Sequence, residues 1–130
     1  MVLVLLCLGA YLASLAFGKV LDGIALVACG AKDRQLILEA GQWWRLVSAG
    51  FLHAGTLHLV ANMVALVSIG RLVERLWGTP RFLLIYLVAL IGGNIASLAA
   101  TPRPSVGASG AILRLFGALE VYSIRYRHLI

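Results

Sequence analysis

Three long runs of this chain contain no Asp, Glu, Lys or Arg: residues 1–18, 46–70 and 82–101. About 20 consecutive apolar residues are needed to cross roughly 30 Å of hydrocarbon as a helix. Inside lipid no water answers the backbone, so such segments must satisfy their own N–H and C=O groups as helices. The composition agrees, since hydrophobic residues make up 62% of the chain and charged ones only 12%. A soluble domain carries roughly 25% charged residues. The fold class expected is therefore an all-α, multi-pass membrane bundle in the lipid bilayer, built as a single unit over residues 1–130.

Charge and cysteine usage exclude several other classes. The net charge of +6 comes from basic residues set singly between apolar runs, which suits anchors at a lipid surface and not a nucleic-acid footprint. Cys7 sits in an apolar run and Cys29 in a loop, so no disulfide framework is expected. No metal-ligand spacing occurs, and no cofactor is expected. The first run could read as a signal peptide, but no basic segment precedes it, and a membrane helix is the better reading.

Along the chain, a first helix ends at Lys19, and residues 19–45 are too polar to span yet too apolar to be disordered. They read as a structured loop at the interface with Trp43 and Trp44 at headgroup depth. The loop portion 51–55 precedes a second helix from about Thr56 to Trp77, and Gly78-Thr79-Pro80 marks a turn. A third span, 82–101, is rich in small residues that allow close helix approach. Pro102 and Pro104 break it, and a fourth helix starts near Ser105, carrying Arg114 and Glu120. Arg71, Arg75, Arg81, Arg125 and Arg127 fall on one side of such a bundle. The opposite side also totals five basic residues, four of them in the long first loop beside three acids. The short loops therefore decide, and by the positive-inside rule they put the N-terminus in the cytoplasm and the first loop outside.

Two polar constellations interrupt the apolar pattern. Ser109 lies between glycines in Gly107-Ala108-Ser109-Gly110-Ala111, in the first turn of the fourth helix. Small-residue clusters pack membrane helices together; equally, the unpaired N–H groups of a helix start can stabilise an oxyanion. His58 and Asn62 stand four apart and share one helix face. They read either as interhelical hydrogen bonders or as donors aimed at a developing negative charge.

Taken in order, the motifs Gly41-Gln42-Trp43-Trp44-Arg45-Leu46, Phe51-Leu52-His53, His58-x-x-x-Asn62-Met63, Glu74, Gly78-x-x-Arg81-Phe82, Tyr86 and Val106-Gly107-Ala108-Ser109-Gly110-Ala111-Ile112 resemble the rhomboid family of intramembrane serine proteases. The resemblance runs from about residue 41 to 118 and implies the front four helices of a six-helix core, in a bacterial inner membrane. It implies a serine endopeptidase acting on membrane proteins in or near their transmembrane segments. Ser109 would be the nucleophile, and His58 and Asn62 would complete the oxyanion site with the Ser109 N–H. His53 matches a loop histidine near that site, Trp44-Arg45 a structural pair, and Glu74 an acidic residue expected to pair with Arg71 or Arg75.

Two departures follow. The family's general base is a histidine on a later Gly-x-x-His helix, and the histidines here are His53, His58 and His128. His128 lies 19 residues after Ser109, about 28 Å along one helix, so no general base is expected in the chain. In addition, Leu113 and Arg114 stand where the family has an aromatic and a small residue. An arginine at mid-membrane costs about 2.5–3.5 kcal/mol unless it snorkels or finds a partner. The expectation is a rhomboid domain incomplete at its C-terminus, with little or no activity as it stands. The competing expectation is a non-catalytic rhomboid-like protein that binds transmembrane helices; a small-solute channel has little support.

Overall fold

A computed structural model of the chain describes residues 2–16 and 23–126, so the anchor Lys19 and the terminal Arg127 and His128 lie outside the described residues. Among the described residues seven helices follow one another: α1 (Val2–Ala16), α2 (Gly23–Ala28), α3 (Arg34–Leu38), α4 (Arg45–Ser48), α5 (Thr56–Trp77), α6 (Thr79–Ala100) and α7 (Ser109–Arg125). Two of them, α5 and α6 at 22 residues each, are long and apolar enough to cross a membrane; each spans about 33 Å. The 15 described residues of α1 are apolar but shorter, and α7, at 17 residues, carries Arg114 and Glu120.

The helices pack by stripes. α1 buries Leu3, Cys7, Tyr11 and Ser14, one face at helical spacing, while Leu5 and Leu12 on its other side are 68% and 63% exposed. A helix apolar all round that buries a single stripe presents the remaining surface to lipid. α5 buries Leu59, Met63, Leu66 and Val73 against Phe82 and Tyr86 of α6, with Ala111, Ile112 and Leu115 of α7 in the same core. The small side of Gly70 lets the Phe82 ring approach α5, for a Cβ there would stand 3.3 Å from Phe82 Cζ.

The turn between α5 and α6 is tighter than the glycine–proline punctuation suggests. Gly78 adopts φ 78°, in the left-handed region, and its N–H closes α5 on the Glu74 carbonyl at 2.8 Å. α6 restarts at once with Pro80 in its first turn, where a missing N–H costs nothing. The Thr79 hydroxyl donates to Glu74 Oε1 at 2.8 Å, so this carboxylate ties the two helix ends together.

The first loop is held by buried cations. Arg45 is 5% exposed and donates to Gln42 Oε1 at 2.7 Å, Val27 O at 2.6 Å and Ala31 O at 2.9 Å. Its guanidinium also lies 4.7 Å from the centroid of the Trp44 ring. Asp33 caps α3 by accepting from Leu36 N at 3.0 Å. The loop meets the bundle through Ile37, Leu46 and Leu98, and Asn94 Nδ2 of α6 donates to Leu46 O at 2.7 Å. At the start of α5, Tyr11 and Thr56 hydroxyls bond at 2.7 Å, fixing α1 to the loop side of the bundle.

Arg45→Lys tests this arrangement, because an ammonium cannot reproduce the planar fork that reaches three acceptors. The exchange is expected to cost about 1.5–3 kcal/mol, read as a lower thermal midpoint in detergent. An unchanged midpoint would remove Arg45 from the framework.

Candidate active site

The fourth long helix begins later than its sequence suggests. Ser105 is not helical; it forms an antiparallel bridge with Lys32, Lys32 N donating to Ser105 O at 3.0 Å and Ser105 N to Lys32 O at 3.1 Å. Gly107 then donates to Ala49 O at 2.9 Å and takes φ 117°, a conformation that favours glycine. Only after this turn can α7 start, so Ser109 is its first residue. Ala111 and Ile112 donate to Ala108 O at 3.0 Å each. Among the described residues the N–H groups of Ser109 and Gly110 have no acceptor, as expected of a helix start.

α5 brings His58 and Asn62 against Gly107, two residues before Ser109. Neither lines the cavity that Ser109 lines, and His58 opens on a separate pocket with Ala54, Pro104 and Val106. A Cβ on Gly107 would stand 2.7 Å from His58 Cε1, 2.8 Å from His58 Nε2 and 3.7 Å from Asn62 Nδ2. The imidazole edge and the amide therefore face the backbone two residues before Ser109. Asn62 is buried, and one of its two amide N–H groups donates to His58 O at 2.9 Å, which leaves one free. Ser109 itself is exposed and lines a cavity of about 200 Å³ with Asn94, Ser97, Ser105 and Gly110.

His53 lies behind His58. It is 1% exposed, and the two rings meet edge to face with centroids 5.3 Å apart. Its Nδ1 sits 3.2 Å from Phe51 O and donates to it in the Nδ1–H tautomer, leaving Nε2 buried without a partner. Burial, reinforced by the His58 ring beside it, holds His53 below the ordinary histidine range despite the Phe51 carbonyl.

Arg114, which has no acidic residue three or four positions away, does find an acceptor. Its NH1 donates to Gly110 O at 3.0 Å, and the guanidinium lies across Gly93, where a Cβ would stand 2.8 Å from NH1. The side chain leans toward the helix start, as helical side chains do. No group of three or more His, Cys, Asp or Glu suited to a metal occurs among the described residues. The sequence missed the closure of Gly107 on His58, although a glycine two residues before a serine at a helix start was the available signal.

A family model described as the Rhomboid domain matches residues 40–130. The chain belongs to the rhomboid family. It is similar to the rhomboid protease GluP of Bacillus subtilis (strain 168), with 52% identity over 102 residues, 78% of this chain and 20% of that protein. It is also similar to RHOMBOID-like protein 5 of Arabidopsis thaliana, 43% identical over 93 residues, covering 69% of the chain and 30% of the relative. RHOMBOID-like protein 1 of the same plant is 35% identical over 121 residues, 87% of the chain and 31% of the relative. The chain thus spans between a fifth and a third of the length of these relatives. With this membership and its apolar helices, it is an integral membrane protein of the rhomboid fold.

Two outcomes are expected at this site. Gly107→Ala puts a methyl group onto the His58 ring and strains φ, so it should displace His58 and lower the thermal midpoint. A destabilisation of about 1–3 kcal/mol fits a non-glycine residue forced into such backbone; an unchanged midpoint would refute the close approach. The second concerns pH. With its folded-state value depressed, His53 takes up its proton more readily in the unfolded chain, so its contribution is full above 6.5 and is lost as pH falls below it. Thermal midpoints between about pH 8 and about pH 5 should fall on the acid side, and His53→Gln should flatten that slope.

Proposed function

We propose that this chain carries the nucleophile and oxyanion groups of a rhomboid intramembrane serine endopeptidase, acting on membrane proteins in or near their transmembrane segments. The closure of Gly107 on His58 and Asn62, beside the first residue of α7, is the observation that supports this reading most. Ser109 Oγ attacks the scissile carbonyl. The oxygen that becomes negative is received by the Ser109 N–H, the free amide N–H of Asn62 and the Nε2–H of His58. In this reading each donor is available before charge develops, the condition under which such groups lower a barrier.

The proton of Ser109 needs a base, and neither His53 nor His58 serves. His58 is engaged at the oxyanion, and His53 stands behind it with Nδ1 on the Phe51 carbonyl. The base in this proposal is a histidine other than these two, brought by another segment or another chain, and without it these groups give little or no turnover. The arginines grouped near the α5–α6 turn and toward the C-terminal end of the sequence favour an orientation with the N-terminus in the cytoplasm, and the bacterial relative favours a bacterial inner membrane.

The test is reaction of the purified 130-residue protein with a fluorophosphonate probe. Labelling should not exceed that of Ser109→Ala, because a serine hydroxyl without a neighbouring base is a weak nucleophile. Joined to a helix that supplies a histidine, the same chain should label at Ser109, and Asn62→Ala should then lower turnover by about 10²–10³. Rapid labelling of the chain alone would overturn the proposed division of roles. Labelling of the joined chain that survives Ser109→Ala would remove Ser109 as nucleophile.

A further inference from the structure

Residues 101–108 connect α6 to Ser109, and one residue of the first loop touches this connection at two places. Lys32 is fully buried, and its Nζ donates to Ser97 Oγ at 2.9 Å, Ser97 O at 3.3 Å and Thr101 O at 3.4 Å. An ammonium has three N–H bonds, and here each has an acceptor. The Lys32 backbone meanwhile pairs in both directions with Ser105, as described above. The side chain thus grips the connection where it leaves α6, and the main chain grips it four residues later.

Lys32 is itself held on both sides. The carbonyl of Ala31 accepts from Arg45 at 2.9 Å, and Asp33 accepts from Leu36 N as the cap of α3. Capping alone does not require this burial, because Arg34 NH1 already donates to Leu98 O at 3.1 Å from the rim of the same helix end. The acceptors of Lys32 are neutral oxygens at the negative end of α6, which offset the cost of burying its charge. Ser97, the closest of them, also lines the Ser109 cavity.

We infer that Lys32 is a positioning residue for Ser109: it pins both ends of residues 101–105 and so sets how the chain arrives at Gly107 and at the start of α7. The inference rests on Ser109 being the nucleophile, as proposed above. Its weight comes from the tolerance of such sites, where a misplacement of about 1 Å is enough to cost about 10²-fold in rate. The device acts through the backbone, and Lys32 itself meets no reacting atom.

The test uses the 130-residue protein in detergent micelles and does not depend on catalysis. Amide hydrogen exchange is compared in wild type, Lys32→Met and Ser97→Ala, together with the His58 imidazole resonances, which report the ring against Gly107. In Lys32→Met, the amides of Ser105 and Gly107 should exchange at least about tenfold faster, the measure of a lost charge-assisted hydrogen bond. Those of α5 from Leu59 to Val73 should keep their rates, and the His58 resonances should move. Unchanged Ser105 and Gly107 amides would overturn the inference. So would faster exchange throughout α5, which would make Lys32 a general stabiliser, or an unmoved His58 beside a loosened connection. Should Lys32→Met fail to fold, Ser97→Ala removes the nearest acceptor alone and must give the same local pattern in weaker form; its absence would be decisive against the anchor. Failure of the nucleophile reading shows separately, as probe labelling that survives Ser109→Ala while the exchange pattern holds.

Discussion

A helix that ends within a membrane bundle leaves carbonyl oxygens without intrahelical partners, and no water reaches them at low cost. In this fold the answer comes from one loop. Lys32 and Arg34 cover the last carbonyls of α6, and Arg45 gathers those of Val27 and Ala31 within the loop itself. Remove that neutralisation and two things fail together: the end of α6 frays, and the loop loses the fixed points from which it reaches Ser105 and Gly107. The candidate site is thus downstream of a polar problem solved at the end of α6, before the chain reaches Ser109.

Much of the helical framework was legible because lipid allows few solutions. The stretch after the Phe51–Gly55 segment, charge-free as far as residue 70, gives α5 with the bounds read from the sequence, Thr56–Trp77. α6 begins at Thr79 and not at Phe82, because a proline in a first helical turn continues a turn as readily as it breaks one. α7 begins at Ser109 and not near Ser105, because Ser105 is taken by a pairing with Lys32, 73 positions earlier by subtraction. No local pattern encodes such a partner. Lys32 reads in the sequence as one more scattered charge, and only tertiary structure shows it to be buried.

The candidate site divides in the same way. The four-residue spacing of His58 and Asn62 and the glycine-flanked Ser109 were visible as motifs. What sets His58 and Asn62 against the turn before Ser109 was not: it depends on Gly107 holding a left-handed backbone against an imidazole ring and on its N–H finding Ala49. Arg114 shows the converse error. Counting only acidic residues three and four positions away left it stranded, whereas a carbonyl of its own helix and the bare face of Gly93 accommodate it.

That last arrangement has a bearing on how this part of the chain can drift. The guanidinium rests where any side chain at position 93 would have to go, with 2.8 Å left for a methyl carbon. Positions 93 and 114 therefore read each other's size across two helices. While the arginine stays, a side chain at 93 requires the guanidinium to swing aside, which the far end of a flexible side chain does at low cost; once a small residue replaces the arginine, alanine or serine fits there without that shift. Alanine at 93 therefore displaces the guanidinium from its seat over α6 before it disturbs either helix, and the pair is coupled through where the arginine head rests.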